Sequence, residues 1–147
     1  MHAEPITVLL VEDEPAHVEI VRRNFEVIRI ANTLKHASDG QAALDYLYRN
    51  NAYSDPASSP RPGLILLDLR LPKIDGLQVL KTIKTDPGLK NIPVVILSTS
   101  ASETDIAMAY ANNANSYLVK PVDFTQFGDL LETLGNYWMV WNHHSKT

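Results

Sequence analysis

Five short runs with strand character, each followed by a segment of helical spacing, govern what this chain can fold into. The runs are Ile6 to Val11 (ITVLLV), Thr33 to Ala37, Leu64 to Asp68 (LILLD), the VVILS segment opened by Pro93, and Ser116 to Val119. The first is almost wholly apolar and rich in β-branched residues, the pattern of a strand covered on both faces, and the third is the most hydrophobic of the five. Between them the period lengthens to that of a helix. Pro15 suits a first helical turn, where its missing N–H costs nothing, and Val18, Val21 and Phe25 follow on one stripe, predicting a helix over about 15 to 28. Ser38 with Gln41 has capping-box form ahead of Ala42, Ala43, Leu44 and Leu47, and Leu77, Leu80 and Ile83 mark a third helix. Ser102 with Asp105 caps a fourth, which Asn112 and Asn113 can end in a left-handed conformation. Asp123 with Gln126 starts a fifth, with the stripe Phe127, Leu130, Leu131, Leu134, Trp138 and Trp141. Asn50 to Pro62 holds three prolines among Asn, Ser and Asp, and reads as an exposed connecting loop.

Strands alternating with helices call for a parallel sheet covered on both faces, because each crossover is right-handed and returns over the sheet. No internal repeat is visible. Five strands predict the α/β, flavodoxin-like, doubly wound (βα)5 architecture with strand order 2-1-3-4-5. The length of 147 residues suits one domain spanning 1–147, without a separate catalytic or DNA-binding unit. Hydrophobic residues at 45% and charged residues at 20% suffice for a core without staples. A formal charge of -4 opposes direct nucleic-acid binding. The absence of cysteine excludes disulfides, thiolate metal sites and a thiol nucleophile. Neither a basic-flanked leader nor an apolar run of about 18 residues is present, so a soluble, unprocessed, cytoplasmic chain without membrane contact is expected.

In doubly wound sheets ligands sit outside the carboxyl ends of the strands, so those positions carry the chemistry. Glu12, Asp13 and Glu14 close the first strand, Asp68 the third, Ser98 and Thr99 the fourth, and Lys120, before Pro121, the fifth. Acids gathered so closely repel one another unless a cation neutralises them. Mg²⁺ takes one or two carboxylates, keeps waters, and leaves room for phosphate oxygens. A carboxylate can then act as nucleophile through an aspartyl phosphate, with metal and lysine neutralising the transferred group.

Glu12 and Asp13, Asp68 in LILLDLRLPKIDG, Ser98 in PVVILSTS, Tyr117, and Lys120 in SYLVKPVD together resemble the response-regulator receiver family, over about Ile6 to Leu134. Within it the chain looks most like the stand-alone cyanobacterial phytochrome response regulators, from the proline-rich insert before the third strand and the YW-containing extension of the fifth helix. The resemblance implies that Asp68 accepts a phosphoryl group from a histidine kinase of the phytochrome type. It implies Mg²⁺ on Asp13, Asp68 and the main-chain carbonyl of Arg70, with Glu12 acting through a water. Lys120 and Ser98, with Thr99 beside it, would meet the phosphoryl oxygens, Tyr117 would change rotamer, and the Lys120–Pro121 bond would be cis. Output would pass through the fourth helix, fifth strand and fifth helix, with Tyr110, Tyr137, Trp138 and Trp141 as candidates for a homodimer interface. Two departures stand out: Ser98 lies where Thr is common, and Arg70 brings a cation where a polar side chain is common. The chain is then an acceptor in phosphoryl transfer, with autodephosphorylation as an accompanying possibility, rather than an enzyme.

Each of these residues has a plainer reading. An acid after a strand is commonly a turn or cap, Glu14 suits a helix start, Lys120 alone would be a surface lysine, and Tyr117 a half-buried strand aromatic. The tryptophan stripe can be core as well as interface. Among rival functions, a flavin carrier needs a Ser/Thr/Gly phosphate loop where this chain has three acids. An aspartyl phosphatase of the haloacid-dehalogenase kind needs a second acid two residues on, where Arg70 stands. The remaining alternative is a phosphorylation-independent interaction module on the same fold.

Overall fold

The structure is a computed structural model that describes residues 6–27 and 32–145, with side chains described for 7–26 and 33–134. Strands β1 (Ile6–Val11), β2 (Asn32–Ala37), β3 (Leu64–Leu67), β4 (Val94–Ser98) and β5 (Ser116–Val119) alternate with helices α1 (Pro15–Val27), α2 (Gly40–Tyr48), α3 (Gly76–Thr85), α4 (Glu103–Ala111) and α5 (Phe124–Ser145). All pairings are parallel, and the sheet order is β2-β1-β3-β4-β5, as the alternating pattern predicts.

The period of two along each strand splits the interior into two cores. Leu9, Val11, Ile65, Leu67, Val94 and Ile96 face Ala43, Val79, Leu80, Ile83 and Ala109 from α2, α3 and α4. Val8, Leu10, Leu64, Leu66, Val95 and Leu97 face Val18, Val21 and Phe25 of α1 and Phe127, Leu131 and Leu134 of α5. Every residue of β3 and β4 is buried, and those runs are aliphatic up to Ser98 at the end of β4, whereas the edge strand β5 is partly open.

Helix starts show where local reading succeeds. The Ser102 hydroxyl accepts from the Asp105 N–H (3.4 Å), and the Asp123 carboxylate accepts from the N–H groups of Thr125 (2.7 Å) and Gln126 (3.2 Å). For α2 the cap is Asp39 rather than Ser38. Asp39 is extended (φ -153°, ψ 170°), and its carboxylate accepts from Ala42 N–H at 2.7 Å, while the Gln41 amide donates instead to Asp45 (3.0 Å). Gly40 follows because a Cβ there would lie 1.9 Å from the Ile74 carbonyl oxygen. At the end of α4 the left-handed residue is Asn113 (φ 68°).

Two further expectations are corrected. The segment from Asn50 to Pro62 is not simply exposed. A 3₁₀ turn (Asn51–Tyr53) sets Tyr53 edge-on to Tyr46 (5.4 Å), the Tyr46 hydroxyl donates to the Pro60 carbonyl (2.8 Å), and Ser59 and Pro62 are buried. The Lys120–Pro121 bond is trans, like every peptide bond among the described residues. Trans is the intrinsically favoured isomer. The β4–β5 ladder already brings the lysine to the strand ends, its N–H on the Ser98 carbonyl at 2.7 Å.

Candidate functional site

The polar residues that close β1, β3, β4 and β5 meet over the carboxyl edge of the sheet. Main-chain bonds between neighbouring strands set their level: Glu12 N–H donates to Ala37 (3.0 Å) and Asp68 N–H to Val11 (3.1 Å). Glu12, Asp68, Ser98 and Lys120 are buried, and Asp13 and Glu14 are exposed. One Glu12 oxygen accepts from the N–H groups of Asp13 (3.1 Å) and Glu14 (3.2 Å), folding the acidic turn back on itself. His36 Nε2 donates to the Glu12 carbonyl (2.7 Å) from the end of β2. Glu14 serves the helix start, its carbonyl accepting from His17 and Val18 N–H groups. Behind Asp68, Gly76 is required by space, because a Cβ there would come within 2.1 Å of the Asp68 carbonyl oxygen.

The Lys120 ammonium is the centre of charge. It donates to Glu12 Oε1, to Asp68 Oδ2 (3.0 Å) and to His17 Nδ1 (3.1 Å). Burial pushes the Glu12 carboxyl up to about 7, against the opposing pull of Lys120. His17 is held below its ordinary value, first by burial and then by the Lys120 charge. Its ring also packs at 5.5 Å on Phe127, which is fully buried on α5.

A second network borders the first. The Arg70 guanidinium pairs with Asp105 at the start of α4 (2.8 Å), and the same carboxylate oxygen accepts from the Ser100 hydroxyl (2.5 Å). Ser100 N–H donates to the Ser98 hydroxyl (3.2 Å), and the half-buried Tyr117 donates its hydroxyl proton to the Ser100 carbonyl (2.8 Å). Tyr117 N–H donates to the Tyr110 hydroxyl (3.1 Å), and Thr99 is exposed. Of the interface candidates, Tyr110 is exposed on α4, and the side chains of Tyr137, Trp138 and Trp141 lie outside the described residues. No described helix is long and apolar enough to cross a membrane.

Sequence reading placed Glu12, Asp13, Asp68, Ser98 and Lys120 at this edge and Tyr117 in the strand beside it, and it missed three residues: His17 and Ser100 drew no reading, and Asp105 was read only as part of a helix cap. The only sequence signal for His17 is its place in the first turn after the acidic run.

Glu12, Asp13 and Asp68 can each offer one oxygen such that all three lie within 4.8 Å of one another. An all-oxygen set with buried and exposed members fits a hard divalent cation that keeps part of its water shell. A sheet of this order, with clustered acids facing a buried lysine across its carboxyl edge, is the arrangement of a receiver domain. The family model described as response regulator receiver domain matches residues 8–132, and the chain belongs to that family.

Among its relatives, the probable methanogenesis regulatory protein FilR2 of Methanothrix harundinacea is 42% identical over 95% of this chain and 87% of its own. Response regulator Rcp1 of Synechocystis sp. is 39% identical over 92% and 90%. The crystal structure of the Mn(2+)-bound form of Rcp1 superposes with a TM-score of 0.87, covering 92% of this chain and 95% of that one. The phosphorylated cyanobacterial phytochrome response regulator RcpA gives the same score and coverage at 37% identity.

Proposed function

We propose that this receiver domain is a phosphoacceptor whose nucleophile is Asp68 and whose kinase is a histidine kinase of the phytochrome class. The observation that carries the reading is the convergence of Glu12, Asp13 and Asp68 with the Lys120 ammonium, 3.0 Å from Asp68, on one edge of the sheet. Asp13, Asp68 and the Arg70 main-chain carbonyl would hold Mg²⁺, with Glu12 acting through a water. The metal supplies charge neutralisation for the transferred group and a template for its oxygens.

An Asp68 carboxylate oxygen attacks phosphorus. The new P–O bond forms as the P–N bond to the kinase imidazole breaks, and the imidazole nitrogen keeps the bonding electron pair. Lys120 turns from the carboxylates to a phosphoryl oxygen, and Ser98 donates its hydroxyl proton to another, as charge-assisted bonds of this kind are the strong ones. Ser98 already contacts Ser100, whose carbonyl holds the Tyr117 hydroxyl, so a shift at Ser98 reaches Tyr117 through one residue. Output passes by contact through α4, β5 and α5, where Met108, Tyr110, Val119 and Phe124 are exposed, with Val122 in the loop before α5, and a homodimer on that face is the simplest form of it. The protein acts in the cytoplasm as acceptor, without catalysing turnover of a separate substrate.

The likeness to RcpA and Rcp1 supports the kinase class. Incubation with acetyl phosphate and Mg²⁺, followed by intact mass, should add one phosphoryl group to the wild type and none to Asp68→Asn. Labelling of the variant, or equal labelling in EDTA, would contradict the reading. A wild type that never labels would favour the phosphorylation-independent module. Sedimentation of labelled and unlabelled protein reads the dimer, and transfer from a phosphorylated phytochrome-class kinase reads the partner.

A further inference from the structure

Lys120 is buried on an ammonium that has three hydrogens and three acceptors, and the third acceptor is not an acid. Two of those bonds end on Glu12 and Asp68, the groups that also serve metal and phosphoryl transfer. The third ends on His17 Nδ1 at 3.1 Å, from the first turn of α1. The ring also packs on Phe127 of α5, centroids 5.5 Å apart, and Nδ1 lies 3.6 Å from Glu12 Oε1. Because Nδ1 accepts from the ammonium, the proton of the neutral ring sits on Nε2.

We propose that His17 is a positioning residue of the phosphotransfer site, which holds the Lys120 ammonium over Asp68 through Nδ1. The proposal rests on the phosphoacceptor reading above and deepens it. On transfer the lysine must exchange a carboxylate for a phosphoryl oxygen, and a tether that takes part in neither metal binding nor chemistry limits that exchange to a rotation about one fixed bond. A neutral acceptor matters as well. A third carboxylate here would spend the lysine charge before the phosphoryl group arrives, and an apolar residue would leave one buried N–H without a partner.

The test uses the full chain and two variants. His17→Asn puts Oδ1 the same number of bonds from the backbone as Nδ1, so it keeps an acceptor. His17→Leu keeps bulk against Phe127 and removes the acceptor. With acetyl phosphate at saturating Mg²⁺, His17→Leu should label Asp68 about tenfold more slowly than wild type, the loss typical of one charge-assisted bond. His17→Asn should recover to within about threefold, again on the scale of a partly kept bond. Mg²⁺ affinity and thermal midpoint should separate this from general damage by staying close to wild type in His17→Asn.

A His17→Leu protein that labels at the wild-type rate, or a His17→Asn protein as slow as His17→Leu, would overturn the proposal. Should His17→Leu fail to fold, long-range ¹H–¹⁵N spectra of the wild type still decide: an Nε2–H tautomer with a hydrogen-bonded Nδ1 is expected, and an Nδ1–H tautomer would refute it. Failure of the wild type itself to label would instead sink the phosphoacceptor reading, while the tautomer measurement would still report on the His17–Lys120 bond.

Discussion

Asp13 and Glu12 are neighbours in the chain with opposite environments. Glu12 is 2% exposed, with one oxygen on the Asp13 and Glu14 N–H groups and the other on Lys120, so it has little freedom to reach a metal directly. Asp13 is exposed at the mouth of the same cluster. Under the proposed ligand set, Asp13→Ala should weaken Mg²⁺ binding by about 10- to 100-fold, and Glu12→Ala by less, since a direct ligand outweighs one acting through water. A Mg²⁺ titration followed by calorimetry ranks the two, and the reverse order would contradict the assignment. Glu12→Ala should also lower stability, because it leaves the buried Lys120 with one carboxylate fewer.

At the scale of elements, the edge of the sheet opposite the candidate site is tied together by side-chain hydrogen bonds. Lys84 of α3 donates to the carbonyls of Lys90 (3.2 Å) and Ile92 (2.8 Å) and to the Asn115 side chain (2.9 Å), which also accepts from Val94 N–H (2.9 Å). Across the same end, the Tyr48 hydroxyl of α2 donates to Asp86 after α3 (2.6 Å), and Gly88 N–H donates to the other oxygen (2.7 Å). The tyrosine bond comes first among the causes that hold Asp86 below its ordinary 3.8 and keep Tyr48 above its ordinary 10.0. A carboxyl lowered on folding adds stability that is present above its unfolded value and is lost as pH falls through the folded value. Tyr48→Phe should therefore raise the Asp86 titration toward 3.8, and its stability deficit should shrink as pH drops below that value. Carboxyl ¹³C shifts followed through acid report the first effect. An unmoved Asp86 curve would mean the bond does not persist in solution.

For the whole molecule, the sheet is the one element that both cores share, since adjacent residues of β1, β3 and β4 belong to opposite sides. Ile83 and Phe127 are fully buried, one on the inner face of α3 and the other on that of α5. Ile83→Ala should cost about 2 to 5 kcal/mol and Phe127→Ala about 3 to 5 kcal/mol, the range for large core truncations. Because each strand joins the two cores, both variants should still unfold in a single transition, with far-UV circular dichroism and tyrosine fluorescence coincident in urea. Separate midpoints would show that the cores fold independently. The 22 residues of α5 rise about 33 Å at helical pitch, against roughly 20 Å for the longest strand, so the helix outruns the sheet it packs on.

The order of elements, the two-faced burial of β1, β3 and β4, and the placing of Glu12, Asp13, Asp68, Ser98 and Lys120 at strand ends were all legible in the chain. Each depends on period and on the residues next door, and a run such as LILLD carries both its strand and its terminal acid. What the acids and lysine do to one another was settled by the fold alone. Lys120 meets partners 108, 52 and 103 residues away, and apart from its place in the turn after the acidic run no local pattern separates His17 from other polar residues on a helix. Asp105 shows the same division. Its spacing from Ser102 marks a helix start, but its carboxylate is taken by Arg70, 35 residues earlier. Asp39 displaced Ser38 as the cap of α2, and Pro60 gained a tyrosine partner, because side-chain hydrogen bonds form with whatever lies within about 3 Å, and which groups lie there is a property of packing.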